Sequence, residues 1–245
     1  MNHTSTEQLQ QLQKQIQGKN EWEALDFLAK SFPNKVVFST SFSWEDQIIL
    51  FWIYQHHINI QPFTLDTGRL FPETYAVWER SREKYGLEIK AYYPDALQIQ
   101  NFVSQNGPNA FYQSVENRQT CCHIRKVQPL QKALANQKVW ITGLRAEHSQ
   151  HRQQLPILEW DSTYAVFKFH PLLHWSTEAV KSYIQNQNIP YNPLHDKGFV
   201  SIGCAPCTRA IQPGENFRAG RWWWEDANKK ECGLHIHSQL TTIQS

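Results

Sequence analysis

Five cysteines carry the most specific chemistry in this sequence. Cys121 and Cys122 are adjacent in CCHIRK, Cys204 and Cys207 form a C-x-x-C, and Cys232 stands apart in KKECGLHIH. The two pairs together supply four thiolates, the ligand set of an iron–sulfur cluster. A structural zinc site also takes paired cysteines, usually with a gap of about two to four residues inside each pair. The adjacent pair therefore leans toward a cluster, with zinc as the open alternative. Cys232 is left outside the quartet. Lys229, Lys230, His235 and His237 near it favour the thiolate, and Glu231 opposes them. An inert tail cysteine is the plain alternative. The segment after Trp224 has few apolar residues to bury it, so a working thiol is the better reading.

A second set of residues suits an anionic ligand. KVVFSTSFSWED reads as a strand over 36–38, a polar turn, and a helix over 44–57. That geometry presents backbone N–H groups to an anion. Ser39, Ser41 and Ser43 could add hydroxyl donors, and Glu45 and Asp46 suit the first turn of a helix. Asp66-Thr67-Gly68-Arg69 follows a strand over 63–65, at the edge where open α/β sheets bind ligands. Arg145 and Arg152 follow another strand, over 139–143. Arg218 and Arg221 flank Ala-Gly ahead of Trp222-Trp223-Trp224 and could grip an anion while the tryptophans pack. Each basic residue taken alone is more often solvated surface.

The elements that must hold these residues alternate. A helical stretch over 4–30 has Leu9, Leu12 and Ile16 on one stripe and reads as a packed or partly frayed surface helix. A helix over 73–85 ends at Gly86, a short strand covers 87–92, and Asp95 caps a helix running to Asn106-Gly107. The cysteine pair is expected at the start of a helix, with Arg125 and Lys126 downstream. A strand over 164–169 and a helix capped by Ser176 complete the pattern. Strand–helix alternation argues a single α/β domain with a mainly parallel, doubly wound sheet. The expected division is an N-terminal helical segment over 1–30, the α/β body over 31–224, and a mobile tail over 225–245.

The 245 residues are enough for one full core, and 40% are apolar. A net charge of +2 gives no reason to expect a nucleic-acid partner. No signal-like N-terminus and no apolar run of spanning length is visible, so the chain is expected in the cytoplasm, away from membranes. In that reducing compartment C-x-x-C points to metal binding or catalysis before a structural disulfide.

In combination, SFSWED, LDTGR, CCHIRKVQPL, GLRAEHSQHR, YNPLHDKGFVSIGCAPCTR, FRAGRWWWE and ECGLH resemble the iron–sulfur branch of the APS/PAPS reductase family, the assimilatory adenylyl-sulfate (APS) reductases. The resemblance runs from about Phe38 to His235. It implies an adenine-nucleotide α-hydrolase-like fold and a [4Fe–4S] cluster on Cys121, Cys122, Cys204 and Cys207. It also implies Cys232 as nucleophile with His235 beside it. The serine turn, with Glu45, then corresponds to a modified pyrophosphate loop, and Leu65, Asp66, Thr67, Gly68 and Arg69 would line the nucleotide pocket. Gly143 and Ser149 fall to the same pocket. Lys126, Arg145, Arg152, Arg218 and Arg221 would surround the phosphosulfate. Thioredoxin, or a glutaredoxin-like thiol donor, is the implied partner, and a homo-oligomer is compatible.

Two other classes compete. A PP-loop ATP pyrophosphatase would carry S-G-G-x-D-S where this chain has SFSWED. A zinc-stabilised binding module would leave Cys232 and the arginines without a role. Within the family, a PAPS reductase would run the same chemistry, but the full cysteine quartet resembles the APS-using branch.

Overall fold

The computed structural model describes residues 3–148 and 152–225. Two helices open it, α1 (His3–Ile16) and α2 (Glu21–Ser31). Asn20 caps α2 in a reciprocal box with Glu23, so the stretch over 4–30 is two helices broken at Gly18 and Lys19. Leu12 and Ile16 of α1 are buried, and Gln13 donates to the Leu158 carbonyl, so α1 is the packed helix of the two alternatives.

Next come β1 (Val36–Ser39), α3 (Trp44–Gln55), β2 (Gln61–Leu65), α4 (Pro72–Tyr85), β3 (Lys90–Tyr92) and α5 (Ala96–Asn106). Gly86 closes α4 in the left-handed conformation, and Asp95 caps α5 through the Gln98 N–H. A long helix follows in three parts: α6 (Val115–Cys122), a π-helical turn (His123–Val127) and α7 (Gln128–Leu134). The cysteine pair thus lies in mid-helix, and Ser114, not the pair, marks the start. The π turn has a sequence cause. Pro129 has no N–H to give and its ring would strike the carbonyl four residues back. The wide turn just before it, with Gln128 N–H bonded to the His123 carbonyl, makes room.

The rest is β4 (Val139–Ile141), β5 (Leu158–Asp161), β6 (Val166–Phe169) and α8 (Thr177–Asn186), capped by Ser176. Among the described residues six strands form one sheet in the order β3-β2-β1-β4-β6-β5. All neighbours are parallel except β5, which pairs antiparallel with β6 as an edge.

Alternation along the strands splits the core in two. Val36, Phe38, Val139, Ile141, Phe167 and Phe169 face one side, in a cluster with apolar residues of α2, α3 and α8. Val37, Phe63, Trp140 and Val166 face the other side, against Leu130, Ala133 and Leu134 of α7. Phe38 is fully buried, and each such side chain contributes about 1.5–3 kcal/mol. The sheet is therefore doubly wound. Its strand order reverses between β1 and β4, and the crevice beyond their C-terminal ends is the natural ligand site. No helix among the described residues is long and apolar enough to cross a membrane.

Candidate active site

A cavity of about 230 Å³ opens at that reversal point. Its floor comes from the strand ends: Ser39 at the end of β1 and Thr40 after it, Thr64 and Leu65 on β2, Thr142 and Gly143 after β4. Ser41, Ser43, Glu45 and Thr67 add to the wall, and Lys126, Arg152, Arg218 and Arg221 supply cationic side chains.

The serine turn is wired to itself. Ser43 caps α3, its hydroxyl accepting from the Asp46 N–H. Ser41 donates both its N–H and its hydroxyl to one Asp46 oxygen, and Phe42 N–H goes to the Thr40 hydroxyl. The amides of Ser41 and Phe42 are thus spent inside the turn, and the Ser39 hydroxyl accepts from the Trp140 indole N–H at 2.8 Å. Phe42 adopts φ +60 and is buried against Trp78, with ring centroids 5.6 Å apart. Gly143 lies so close that an added Cβ would overlap Asp46 Oδ1 and come 3.1 Å from Glu45 Cβ.

Glu45 sits at the back of the cavity and binds Arg145 Nε at 2.7 Å, with His148 Nε2 at 3.2 Å. Burial alone would raise the Glu45 carboxyl, but His148 and Arg145 override it and hold it well below the ordinary carboxylate range. Burial lowers His148, against the pull of Glu45. Arg145 is fully buried and is spent on Glu45, Glu147, the Trp175 carbonyl and Thr177. It does not line the cavity. In this structure Arg145 is the strut that orients Glu45.

A second, smaller void is ringed by Cys121, Cys122, Cys204 and Cys207, with Arg69, Phe111, Arg118, Arg125, Lys126 and Pro206. On the long helix, residues 118, 121, 122, 125 and 126 share one face, which is how adjacent cysteines reach one void. The C-x-x-C comes from a 3-10 turn (Ala205–Cys207) tied to the LDTGR segment by Ala205 N–H to the Arg69 carbonyl. None of the four is in a disulfide. Among the described residues no three Cys, His, Asp or Glu side chains converge closely enough to share one metal ion. Burial works to raise the Cys204 thiol, but Lys126, the Thr67 hydroxyl 3.3 Å away, Arg221 and Arg125 outweigh it and bring it below its usual value. Burial, with the neighbouring Cys204, pushes Cys207 up to about 12. Lys126 lines both voids, and Thr67 lines the large one while touching Cys204.

The model of the Phosphoadenosine phosphosulfate reductase domain family matches residues 35–210. The adenosine 5'-phosphosulfate reductase of Allochromatium vinosum is 49% identical over 202 residues, 82% of this chain and 79% of its own. That of Sinorhizobium fredii strain NGR234 is 45% identical over 216 residues, 88% of this chain and 86% of its own. The chain belongs to the APS/PAPS reductase family.

A solved member of the family, the PAPS reductase of Candida auris in a phosphate complex, superposes with a TM-score of 0.72 at 26% identity. It covers 84% of this chain and 97% of its own. FMN adenylyltransferase of Candida glabrata, with a TM-score of 0.55, 14% identity and coverage of 91% of this chain and 75% of its own, shares the fold. Membership makes this chain an oxidoreductase acting on a sulfur group.

Asp66 stays off the cavity, accepting from Gly68 N–H and the Tyr75 hydroxyl, and so shapes the LDTGR turn. Gly68 carries φ +70 in that turn. Arg69 lies on the cysteine side, over the Phe111 ring and near Asn109, and not on the larger cavity. Ser149, Cys232 and His235 lie outside the described residues. Residues of the cavity wall that motif reading passed over are Thr142, His148, Gly203 and Phe217. His148 stacks on Phe217 at 4.2 Å, and a side chain at Gly203 would overlap the Arg221 guanidinium. Three of these, His148, Gly203 and Phe217, stand inside quoted motifs, so their location was visible although their role was not.

Proposed function

We propose that this chain reduces adenosine 5'-phosphosulfate to sulfite and AMP with electrons from thioredoxin. The observation that carries the reading is the shared wall: a nucleotide-sized cavity with serine and arginine lining meets a four-cysteine ring at Lys126. The curated relatives at 45–49% identity bear the name of that activity.

Cys121, Cys122, Cys204 and Cys207 would hold a [4Fe–4S] cluster. Four sulfurs around a void suit a cluster in which each thiolate takes its own iron, whereas a zinc ion needs them on one point. Bound there, the cluster would supply structural support and an electrostatic field beside Lys126.

The residues of the chain then act in order. Ser39, Ser43 and the strand ends seat the nucleotide, and Arg152, Arg218, Arg221 and Lys126 meet the phosphosulfate. The Cys232 thiolate attacks sulfur in line, the bond from sulfur to the bridging oxygen breaks, and AMP departs with the electron pair. The cations offset the charge that moves onto the leaving phosphate. Cys232 is left as an S-sulfocysteine. A thioredoxin thiolate attacks Cys232 Sγ, the sulfur–sulfur bond to the sulfonate breaks, sulfite leaves with the electron pair, and the second thioredoxin thiol resolves the mixed disulfide. Two thiols are oxidised to a disulfide and the sulfate sulfur is reduced by two electrons.

PAPS differs from APS by a 3'-phosphate carrying about −1.5 to −2 charge. Burying that charge without a dedicated cation costs several kcal/mol. Sulfite release with APS and with PAPS, each with thioredoxin at fixed salt, is the test. APS is expected to win by about tenfold or more in kcat/KM, equivalent to about 1.4 kcal/mol. Equal or better turnover of PAPS overturns the substrate assignment, and sulfite from neither overturns the function.

A further inference from the structure

A line of buried polar side chains runs away from the cavity wall along the sheet. Phe167 and Phe169 face the first apolar cluster, so Lys168 and His170 face the opposite side, with Trp140 and Thr142. His170 is fully buried and Lys168 is 1% exposed. Thr142 lines the cavity, and its Oγ1 lies 2.6 Å from His170 Nδ1. On the far side of the ring, His170 Nε2 lies 3.3 Å from Glu159 Oε1. The same Glu159 oxygen is 3.8 Å from Lys168 Nζ, and Asp161 Oδ2 is 3.4 Å from that ammonium.

A buried charged network of this kind adds little stability beyond what apolar side chains would give. What it decides is where each hydrogen sits. The Lys168 ammonium keeps Glu159 a carboxylate, which only accepts. His170 Nε2 therefore carries a hydrogen and donates it to Glu159. Burial, joined by the charges of Lys168 and Arg152, holds His170 below its ordinary pKa against the pull of Glu159, so the ring is neutral. A neutral ring with its hydrogen on Nε2 has a bare lone pair at Nδ1. The Thr142 hydroxyl hydrogen is given to that lone pair. Leu144 N–H approaches Thr142 Oγ1 at 3.4 Å, again as a donor. An ordinary threonine hydroxyl rotates to donate or accept as a ligand demands. This one can only accept.

Its place in the cavity says what it meets. Leu65 at the end of β2 and Leu130 of α7 give an apolar wall suited to a base, and the cations suit the phosphosulfate. In the sheet β1 and β4 follow β2, and Arg152 comes after β4. A nucleotide that spans from the apolar wall to Arg152 carries its ribose past Thr142. A ribose hydroxyl can donate to Oγ1. A phosphate in its place brings acceptor oxygens and negative charge against a lone pair, a repulsive pairing that discriminates.

We propose that Thr142 is a specificity-determining residue: its Oγ1 accepts from the 3'-hydroxyl of the bound nucleotide and, with no hydrogen to give, refuses a 3'-phosphate. His170 and Glu159 are positioning residues that act through Thr142. This rests on the reading of the cavity as an adenosine 5'-phosphosulfate site and names the group that discriminates there.

The test is calorimetric titration of wild type, Thr142→Val, Thr142→Ser and His170→Phe with AMP, 3'-deoxy-AMP, 2'-deoxy-AMP and adenosine 3',5'-bisphosphate. Wild type is expected to bind 3'-deoxy-AMP about tenfold more weakly than AMP. Thr142→Val should bind AMP about tenfold more weakly than wild type and no longer distinguish it from 3'-deoxy-AMP. Thr142→Ser should keep the wild-type ratio. His170→Phe frees the Thr142 hydrogen, so the preference for AMP over the bisphosphate should fall severalfold. A merely structural role would weaken all four ligands together and leave these ratios unmoved. Equal binding of AMP and 3'-deoxy-AMP by wild type overturns the inference without any variant having to fold. So does a wild-type ratio in folded Thr142→Val, or a ratio that moves for 2'-deoxy-AMP in place of 3'-deoxy-AMP. An unmoved bisphosphate preference in folded His170→Phe removes His170 and Glu159 from the proposal. Sulfite release from APS is measured on the same wild-type preparation. Sulfite without the expected ratios sinks this inference alone, and the ratios without sulfite sink the proposed activity.

Discussion

One carboxylate oxygen of Asp46 accepts both the backbone N–H and the hydroxyl of Ser41, at 2.6 and 2.8 Å. The bonds close the serine turn on itself at the wall of the cavity. The turn is therefore held by α3 before any nucleotide arrives, which lowers the ordering cost of binding.

This contact has a pH signature. Burial raises the Asp46 carboxyl from 3.8 to about 6, with the Ser41 hydrogen bonds working against it and the Glu45 charge with it. The folded value lies above the unfolded one, so the folded state keeps a proton that the unfolded chain releases. The contribution is complete below pH 3.8 and is lost as pH rises through about 6. Its upper bound is about 3 kcal/mol. Urea midpoints of wild type and Asp46→Asn are expected to converge or cross between pH 4 and 7, the variant being the less pH-dependent. Parallel pH profiles for the two proteins would show that Asp46 does not titrate in this window.

Gly143 packs against the same carboxylate. A methyl group there would overlap Asp46 Oδ1, and Asp46 is held from its other side by Ser41. Gly143→Ala is expected to cost about 1–3 kcal/mol of stability, as overpacking does, and to weaken AMP binding. Calorimetric titration with AMP alongside urea unfolding checks both.

For the cysteine ring, anaerobically purified protein should contain about four iron and four sulfide per chain. Cys204→Ser, at the position that Thr67 touches and Lys126 faces, should lose most of the iron. Stoichiometric zinc in a fully active preparation would refute the cluster.

Cys232→Ser should retain iron and bind AMP normally while releasing no sulfite. Mass spectrometry of wild type incubated with APS and no thiol should find one sulfonate on the peptide containing Cys232. An active serine variant would end the nucleophile assignment.

The local elements were legible because their signals are local. The apolar run VVF, the Ser43 cap and the apolar helix after it lie within twenty residues, and β1 and α3 form where that pattern places them. Asp95, Ser176 and Gly86 likewise mark helix ends through bonds to residues three or four positions away. The cysteine types and the spacing inside each pair needed no fold to be noticed. The strand β5 was not legible, because LEWD has no clean alternation and is a strand only by pairing with β6.

Convergence was left to the tertiary structure. Arg145 looked like the other cations at strand ends, yet Glu45, one hundred positions earlier, draws it into the interior. Arg69 shares a motif with Leu65 and Thr67, yet the turn at Gly68 sends it to the cysteines. The sequence by itself determined which chemical groups are present and which short segments carry them. Which groups meet was decided when β1 and β4 became neighbours at the sheet reversal. That pairing depends on a core assembled from distant segments, which no local window of residues contains.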